Sequence, residues 1–150
     1  MTKTLKLKIA TPEKVIYEND VFQVSIPTMD GEITVLPNHV PLVSVLKAGE
    51  MKIVDKDGEQ ILAVSGGFLE VRGQNEIVIL ADNAERATEI DIDRAEQARL
   101  RAEELMKQTK SVEDVDFAKL QAMMEREMNR IRVGRKYKEI KPSRGGQAEI

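Results

Sequence analysis

The sequence predicts an antiparallel β module up to about residue 86, followed by an antiparallel α-helical hairpin over residues 87–134. Three observations carry this reading. Apolar residues alternate with polar ones as far as Ala81, whereas beyond that point they recur every three or four positions. Turn-forming clusters punctuate the first part every eight to twelve residues. The charge balance also reverses, with 9 basic and 16 acidic residues up to Asp93 against 14 and 10 from Arg94 onward. Two parts of opposite sign imply different partners.

The strands read in order. Leu5, Leu7 and Ile9 alternate with lysines and threonine, and Phe22, Val24 and Ile26 repeat the pattern before Ile33 and Val35. Later runs cover Met51–Val54, Gln60–Ser65, Phe68–Val71 and Ile77–Ala81. Between them stand Thr11-Pro12, Glu18-Asn19-Asp20, Met29-Asp30-Gly31, Pro37-Asn38, Ala48-Gly49, Asp57-Gly58 and Arg72-Gly73-Gln74-Asn75. Many short strands with such turns form a sandwich or a barrel. Asp57-Gly58 between two alternating runs marks a hairpin.

After Ala81 the period changes. Asp91 is placed to cap a helix from about Ile92 to Gln108, with Ala95, Ala98, Ala102 and Leu105 on one face. Ser111–Asp114 is a polar break, and Asp114 or Asp116 caps a second helix. Its apolar stripe is Phe117, Leu120, Met124, Met128 and Ile131. The helix is expected to end near Gly134, leaving residues 135–150 as a flexible basic tail. Two helices joined by a short break fold back on each other. Such a pair has little core of its own, which makes it a candidate switch with two available docking surfaces.

Composition narrows the chemistry. The chain has 150 residues, 41% hydrophobic and 33% charged, and no cysteine. Disulfides, thiolate metal sites and cysteine nucleophiles are excluded. Five aromatics leave the core to Val, Ile and Leu. No stretch approaches the roughly 20 apolar residues of a membrane helix, and Met1–Ala10 lacks the apolar block of a signal peptide. A cytoplasmic setting is therefore expected. His39 is the sole histidine, so a multi-histidine metal site cannot form. Nothing pairs a nucleophile with a base, and catalytic residues are not expected.

Three segments are specific. Gly31-Glu32-Ile33 with Leu36-Pro37-Asn38-His39-Val40-Pro41-Leu42, then Ser65-Gly66-Gly67-Phe68-Leu69-Glu70-Val71, then Leu80-Ala81-Asp82-Asn83-Ala84-Glu85 resemble, in order and spacing, the ε-subunit family of bacterial F-type ATP synthases. The resemblance covers about Leu5 to Val133. It implies a sandwich of two antiparallel five-stranded sheets, followed by an antiparallel helical hairpin. It further implies a non-catalytic rotor subunit that binds the γ subunit and the c-subunit ring. By the same likeness the hairpin extends into the α/β catalytic head and impedes ATP hydrolysis. Membrane attachment would come only through the complex, at the cytoplasmic face of the cell membrane. Glu32 and His39 would face the c ring.

Ile90-Asp91-Ile92-Asp93-Arg94-Ala95 matches the family's I/L-D-x-x-R-A nucleotide motif. The resemblance implies ATP as a regulatory ligand, with or without Mg2+, and no required cofactor. Ile90, Asp91, Arg94 and Ala95 correspond through the motif; Glu85, Arg101, Arg126 and Arg130 correspond by position. A turn near Ser111 would set Arg94 opposite about position 128, close to Arg126 and Arg130. Guanidinium forks gathered in one place suit phosphate oxygens. The alternative is that Glu96, Glu103, Glu125 and Glu127 hold these arginines in surface ion pairs worth less than about 1 kcal/mol each.

Other motifs have plainer readings. His39, between Pro37 and Pro41, is a structural or surface histidine by spacing alone. Gly66-Gly67 marks a bulge or close strand packing, because no helix or Lys-Ser/Thr follows to complete a phosphate loop. Arg132, Arg135 and Lys136 open a basic run that is either solvated or docked on an acidic surface. The resemblance supplies that surface in the catalytic head. No nucleic-acid partner is expected, since the first module is acidic and no recognition motif is present.

Overall fold

Eight strands fill the first unit, Met1–Arg86, and two helices the second, Ala87–Ile150. The computed structural model describes residues 3–108 and 115–148, with side chains described over 3–108 and 116–137. The strands are β1 (Leu5–Ala10), β2 (Val15–Val21), β3 (Gln23–Thr28), β4 (Gly31–Val35), β5 (Leu42–Val45), β6 (Gly49–Asp55), β7 (Gly58–Arg72) and β8 (Glu76–Arg86). Alternation sets their faces. Leu5, Leu7 and Ile9 are buried on β1 while Lys6 and Lys8 are exposed, and Met51 and Ile53 are buried on β6. Each such side chain contributes roughly 1.5–3 kcal/mol.

Hydrogen bonding joins all eight strands in the order β2-β1-β8-β7-β6-β3-β4, with β5 also on β7. The longest strand, β7, nevertheless changes partners midway, and β8 pairs with β1 only over its first half. The first half of β7 pairs with β6 through Gly49↔Val64, and the second half with β5 through Leu42↔Val71. β8 follows β7 throughout, from Arg72↔Glu76 to Leu62↔Arg86. Each half therefore belongs to one layer, giving the β-sandwich of two five-stranded sheets expected from the family resemblance. One pair departs from the antiparallel expectation: β1 and β8 run parallel, Lys6↔Glu76 to Ala10↔Leu80. Parallel neighbours need a long crossover, supplied here by most of the module.

The partner change occurs at Gly66-Gly67. Their φ values are +72° and +104°, a region that favours glycine. A Cβ on Gly67 would lie 2.0 Å from the Leu80 carbonyl oxygen, so β7 and β8 touch backbone to backbone. The hairpin signal at Asp57-Gly58 is present but displaced by one residue. Asp55 pairs with Gly58, which opens β7, and the two loop residues are Lys56 and Asp57.

One buried polar tie spans the core. The Tyr17 hydroxyl on β2 donates to Asp55 Oδ2 on β6 at 2.7 Å. Gln60 Nε2 donates to the same oxygen at 3.0 Å, and the Asp57 N–H donates to Oδ1 at 2.8 Å. Burial, then the Asp55 hydrogen bond and its charge, push the phenol well above its ordinary pKa.

In the second unit a 3-10 turn, Ala87–Glu89, leads to α1 (Ile92–Gln108) and α2 (Val115–Ala148). The predicted break at Ser111–Asp114, including Asp114 as a cap, lies outside the described residues. α2 does not end near Gly134, and residues 135–148 are helical rather than a loose tail. Glycine costs only about 1 kcal/mol in a helix interior. Here it also makes room, since a Cβ at Gly134 would meet Ile92 Cγ1 at 3.0 Å and Ile90 Cγ2 at 3.2 Å. Nothing in the local chemistry accounts for the passage of α2 through Pro142.

Two outcomes follow from this geometry. Gly67→Ala is expected to lower unfolding free energy by about 2–5 kcal/mol, combining strain with a backbone clash. Gly58→Ala has the strain (φ +116°) but no atom within 4 Å of the new Cβ, so it should cost distinctly less in urea titrations. For Tyr17, the folded state keeps the phenol neutral, so the unfolded chain ionises first as pH passes about 10. Stability should then fall by up to about 1.4 kcal/mol per pH unit above that point. Tyr17→Phe should flatten this alkaline slope in denaturation curves measured from pH 9 to 11.

Candidate functional site

The start of α1 is built by the Ile90–Ala95 motif. Asp91 Oδ1 accepts the Arg94 N–H at 3.1 Å, and the Asp91 carbonyl accepts the Ala95 N–H at 3.0 Å. Asp91 is thus the N-cap, satisfying a donor that would otherwise go unpaired. Ile90 is buried beside Gly134, and Ala95 is fully buried. Each apolar motif residue therefore has a structural task. Arg94 and Arg101 are exposed on α1, and no side-chain hydrogen bond or ion pair holds them among the described residues.

Arg126 and Arg130 are brought together on α2 by Glu127. Arg126 contacts Glu127 Oε1 through Nε at 3.2 Å and through a terminal nitrogen at 3.1 Å. Arg130 donates to Oε2 at 2.8 Å. Glu127 is 1% exposed, an unusual place for a carboxylate. The apolar stripe shifts accordingly. Met128, expected on the inner face, is 53% exposed. The buried line instead runs through Glu127, Ile131 and Gly134, spaced four and three apart and so on one face. Sequence reasoning treated Glu127 only as a surface partner for arginine. The missed signal was its place one turn before Ile131.

The register between the helices also differs from the spacing estimate. Gly134 meets Ile90 and Ile92, and Arg135 pairs with Glu96. Arg94 therefore stands level with the Gly134–Arg135 turn rather than with position 128. The six or seven extra residues correspond to roughly 9–10 Å along a helix. Arg126 and Arg130 are correspondingly nearer the level of Arg101. The predicted alanine face is present in Ala95 and Ala102, both buried, and in half-buried Ala98, but Leu105 is 46% exposed.

The remaining predicted residues are dispersed. Glu85 lies on β8 in register with Ala63. Glu32 is exposed on β4 opposite Pro27. His39 is half-buried in its loop, its Nδ1 2.6 Å from the Val40 carbonyl oxygen. A carbonyl only accepts, so Nδ1 carries the proton. No hydrogen bond joins Glu32 to His39 among the described residues. Arg132 donates to buried Asn129 at 2.8 Å. Lys136 is exposed at the described end of the basic run. Among the described residues, no group of three His, Cys, Asp or Glu is arranged to hold a metal ion. No helix among them is long and apolar enough to cross a membrane.

On the sandwich, an apolar strip went unnoticed in the sequence. Val45, Phe68 and Leu80 lie side by side across β5, β7 and β8, and Val43 sits two residues from Val45. All four are between 43% and 70% exposed. Large side chains left in contact with water in one patch mark an interaction surface.

Comparisons with known proteins agree across both units. A family model described as ATP synthase, Delta/Epsilon chain, beta-sandwich domain, matches residues 4–87. A second, ATP synthase, Delta/Epsilon chain, long alpha-helix domain, matches residues 88–134. An ATP synthase epsilon chain of Halalkalibacterium halodurans is 40% identical over 130 residues, covering 87% of this chain and 96% of the relative. One from Dehalococcoides mccartyi is 46% identical over 132 residues, covering 88% and 93%. Among solved structures, a chain of the Euglena gracilis mitochondrial ATP synthase (OSCP/F1/c-ring) has a TM-score of 0.67 at 22% identity, covering 81% of this chain and 76% of that one. A chain of the Tetrahymena thermophila mitochondrial ATP synthase central stalk and c-ring has a TM-score of 0.56 at 17% identity, covering 91% and 97%. These two likenesses concern the fold.

Asp91→Ala should remove the cap and lower the stability of the helical unit by about 0.5–2 kcal/mol. Asp91→Asn should restore most of the loss, as read from helical ellipticity during thermal melting.

Proposed function

The chain belongs to the delta/epsilon-chain family of ATP synthase, and on that premise we propose that it is a non-catalytic subunit of the central stalk. In this reading the sandwich couples the γ subunit to the c-subunit ring. The apolar strip of Val43, Val45, Phe68 and Leu80 supplies a surface suited to a protein partner. Glu32 and His39 are assigned to the c ring. The chain would lie at the cytoplasmic face of the membrane, held there by the complex.

The helical unit is the regulatory part. The observation that carries this assignment is how the hairpin distributes its apolar groups. Among the described residues it buries Ile90, Ala95, Ala102, Ile131 and Val133, while Leu100, Leu105, Met123 and Met128 remain 39–55% exposed. A buried methylene is worth about 0.8 kcal/mol and a large apolar side chain about 1.5–3. A pair of helices that buries so few large apolar groups is therefore weakly committed to its closed form. The four exposed ones are available to another surface. Extension along γ into the α/β catalytic head would impede hydrolysis, with Arg132, Arg135 and Lys136 meeting acidic groups there.

ATP binding to the hairpin would favour the folded form by its difference in affinity for the two states. Ile90, Asp91, Arg94 and Ala95 would form one part of that site, with Arg101, Arg126 and Arg130 directed to phosphate. Mg2+ would accompany the nucleotide as its own counter-ion.

Reconstituting the catalytic head and γ with the full chain, or with a chain truncated after Glu89, tests the regulatory assignment. The full chain should slow ATP hydrolysis at low ATP and release it at high ATP, whereas the truncated chain should do neither. Equal rates with both chains at every ATP concentration would refute it.

A further inference from the structure

The hairpin's arginine pair already holds an anion, and that anion belongs to the chain. Glu127 is buried on the inner line of α2, and its two oxygens are divided between Arg126 and Arg130 at 2.8–3.2 Å. Arg126 turns both Nε and a terminal nitrogen to one oxygen, the edge a guanidinium uses to grip a phosphate. The carboxylate also reduces the charge of the cluster from two positive to one.

We infer that Glu127 is an internal competitor for nucleotide phosphate, occupying the Arg126–Arg130 pair when the site is empty and setting how tightly ATP can bind. The inference rests on the ATP-binding reading of the hairpin and names the regulation of that site. A phosphate entering the pair must displace the carboxylate or share its donors, and in either case it meets a neighbouring negative charge. Both effects weaken binding, and both arise within α2. The guanidiniums are kept positioned for an anion while the empty state carries its own neutralising group. Glu127 is thus a positioning residue that sets affinity, separate from the groups that contact ligand.

Isothermal titration of the full chain with ATP, with and without Mg2+, tests this on the parent and on Glu127→Gln and Glu127→Ala chains. Thermal melting without nucleotide and at millimolar ATP accompanies each titration. Removing the carboxylate should tighten ATP binding by about tenfold, the equivalent of one charge-assisted contact. ATP should also raise the melting midpoint of these chains more than that of the parent. The gain should vanish when Arg126→Ala is added. A merely structural Glu127 would lower the melting midpoint without that selective rescue.

If the parent binds ATP and both substituted chains bind equally or more weakly, the competitor role is overturned while the ATP reading stands. A gain that survives Arg126→Ala overturns it as well. A substituted chain that remains unfolded at millimolar ATP also counts against it, whereas one that folds only with ATP supports it. Binding in none of the chains removes the ATP reading and the inference together.

Discussion

At Gly67 the backbone of β7 lies so close to Leu80 of β8 that a single methyl group would sit 2.0 Å from the carbonyl oxygen. This approach allows two strands to serve two layers without losing their shared ladder. The pairing runs from Arg72↔Glu76 to Leu62↔Arg86, with the bend inside it. Few backbone groups are stranded at the corner, where an interrupted ladder would leave unpaired donors and acceptors. The same bend has a consequence for the surface. Leu69 points inward and is fully buried, so Phe68 must point outward, beside Leu80 and Val45 in register. The apolar strip is thus a product of the corner that closes the sandwich.

The helical unit is held by different means. Its seam combines Ala95, Ala102 and Gly134 with Ile90 and Ile131, and so short an apolar line removes less area from water than the core of the sandwich. Polar devices accompany it: the Asp91 cap, the Glu96–Arg135 pair and the buried Glu127 cluster. Such contacts respond to charge in a way that an aliphatic core does not. Electrostatic dependence therefore follows from the composition of the seam itself.

Much of this was legible from residue order. Alternation located six of the eight strands but not β2, read as a turn at Glu18-Asn19-Asp20, or β5; the later three- and four-residue spacing located both helices, and Asp91 was recognisable as a cap because its chemistry is local. What failed to show was non-local. The parallel pairing of β1 with β8 joins residues about seventy positions apart, and no local signal specifies it. Tyr17 and Asp55 each look like surface residues until the two sheets place them face to face. Gly134 was read as a stop because glycine disfavours helices, yet its role depends on Ile90 and Ile92, more than forty residues away. Glu127 was missed for the same reason. A carboxylate on a helix reads as solvated unless the partner side chains are already known to enclose it. The hairpin register then followed an assumed turn position, and a shift of a few residues there reassigns which arginines share a level.

A buried carboxylate is an uneconomical way to secure a helix, since replacing a buried ion pair by apolar groups of similar volume is often neutral or stabilising. Removing one partner is a different matter, because the charges left behind are then unbalanced in a poorly solvating place. On the inference above, the arginine pair is offset either by its own carboxylate or by a bound anion that displaces it. A ligand present at a hundred times its dissociation constant stabilises the state it binds by about 2.7 kcal/mol. That is comparable with the burial of one or two large apolar side chains, such as those of Leu105 and Met128, which the hairpin leaves exposed. In the proposed regulatory reading, a nucleotide at modest saturation is matched in scale to the commitment of the hairpin. A leucine-rich seam would place the closed form beyond the reach of such a ligand, and a seam without the arginine cluster would give the ligand nothing to act on.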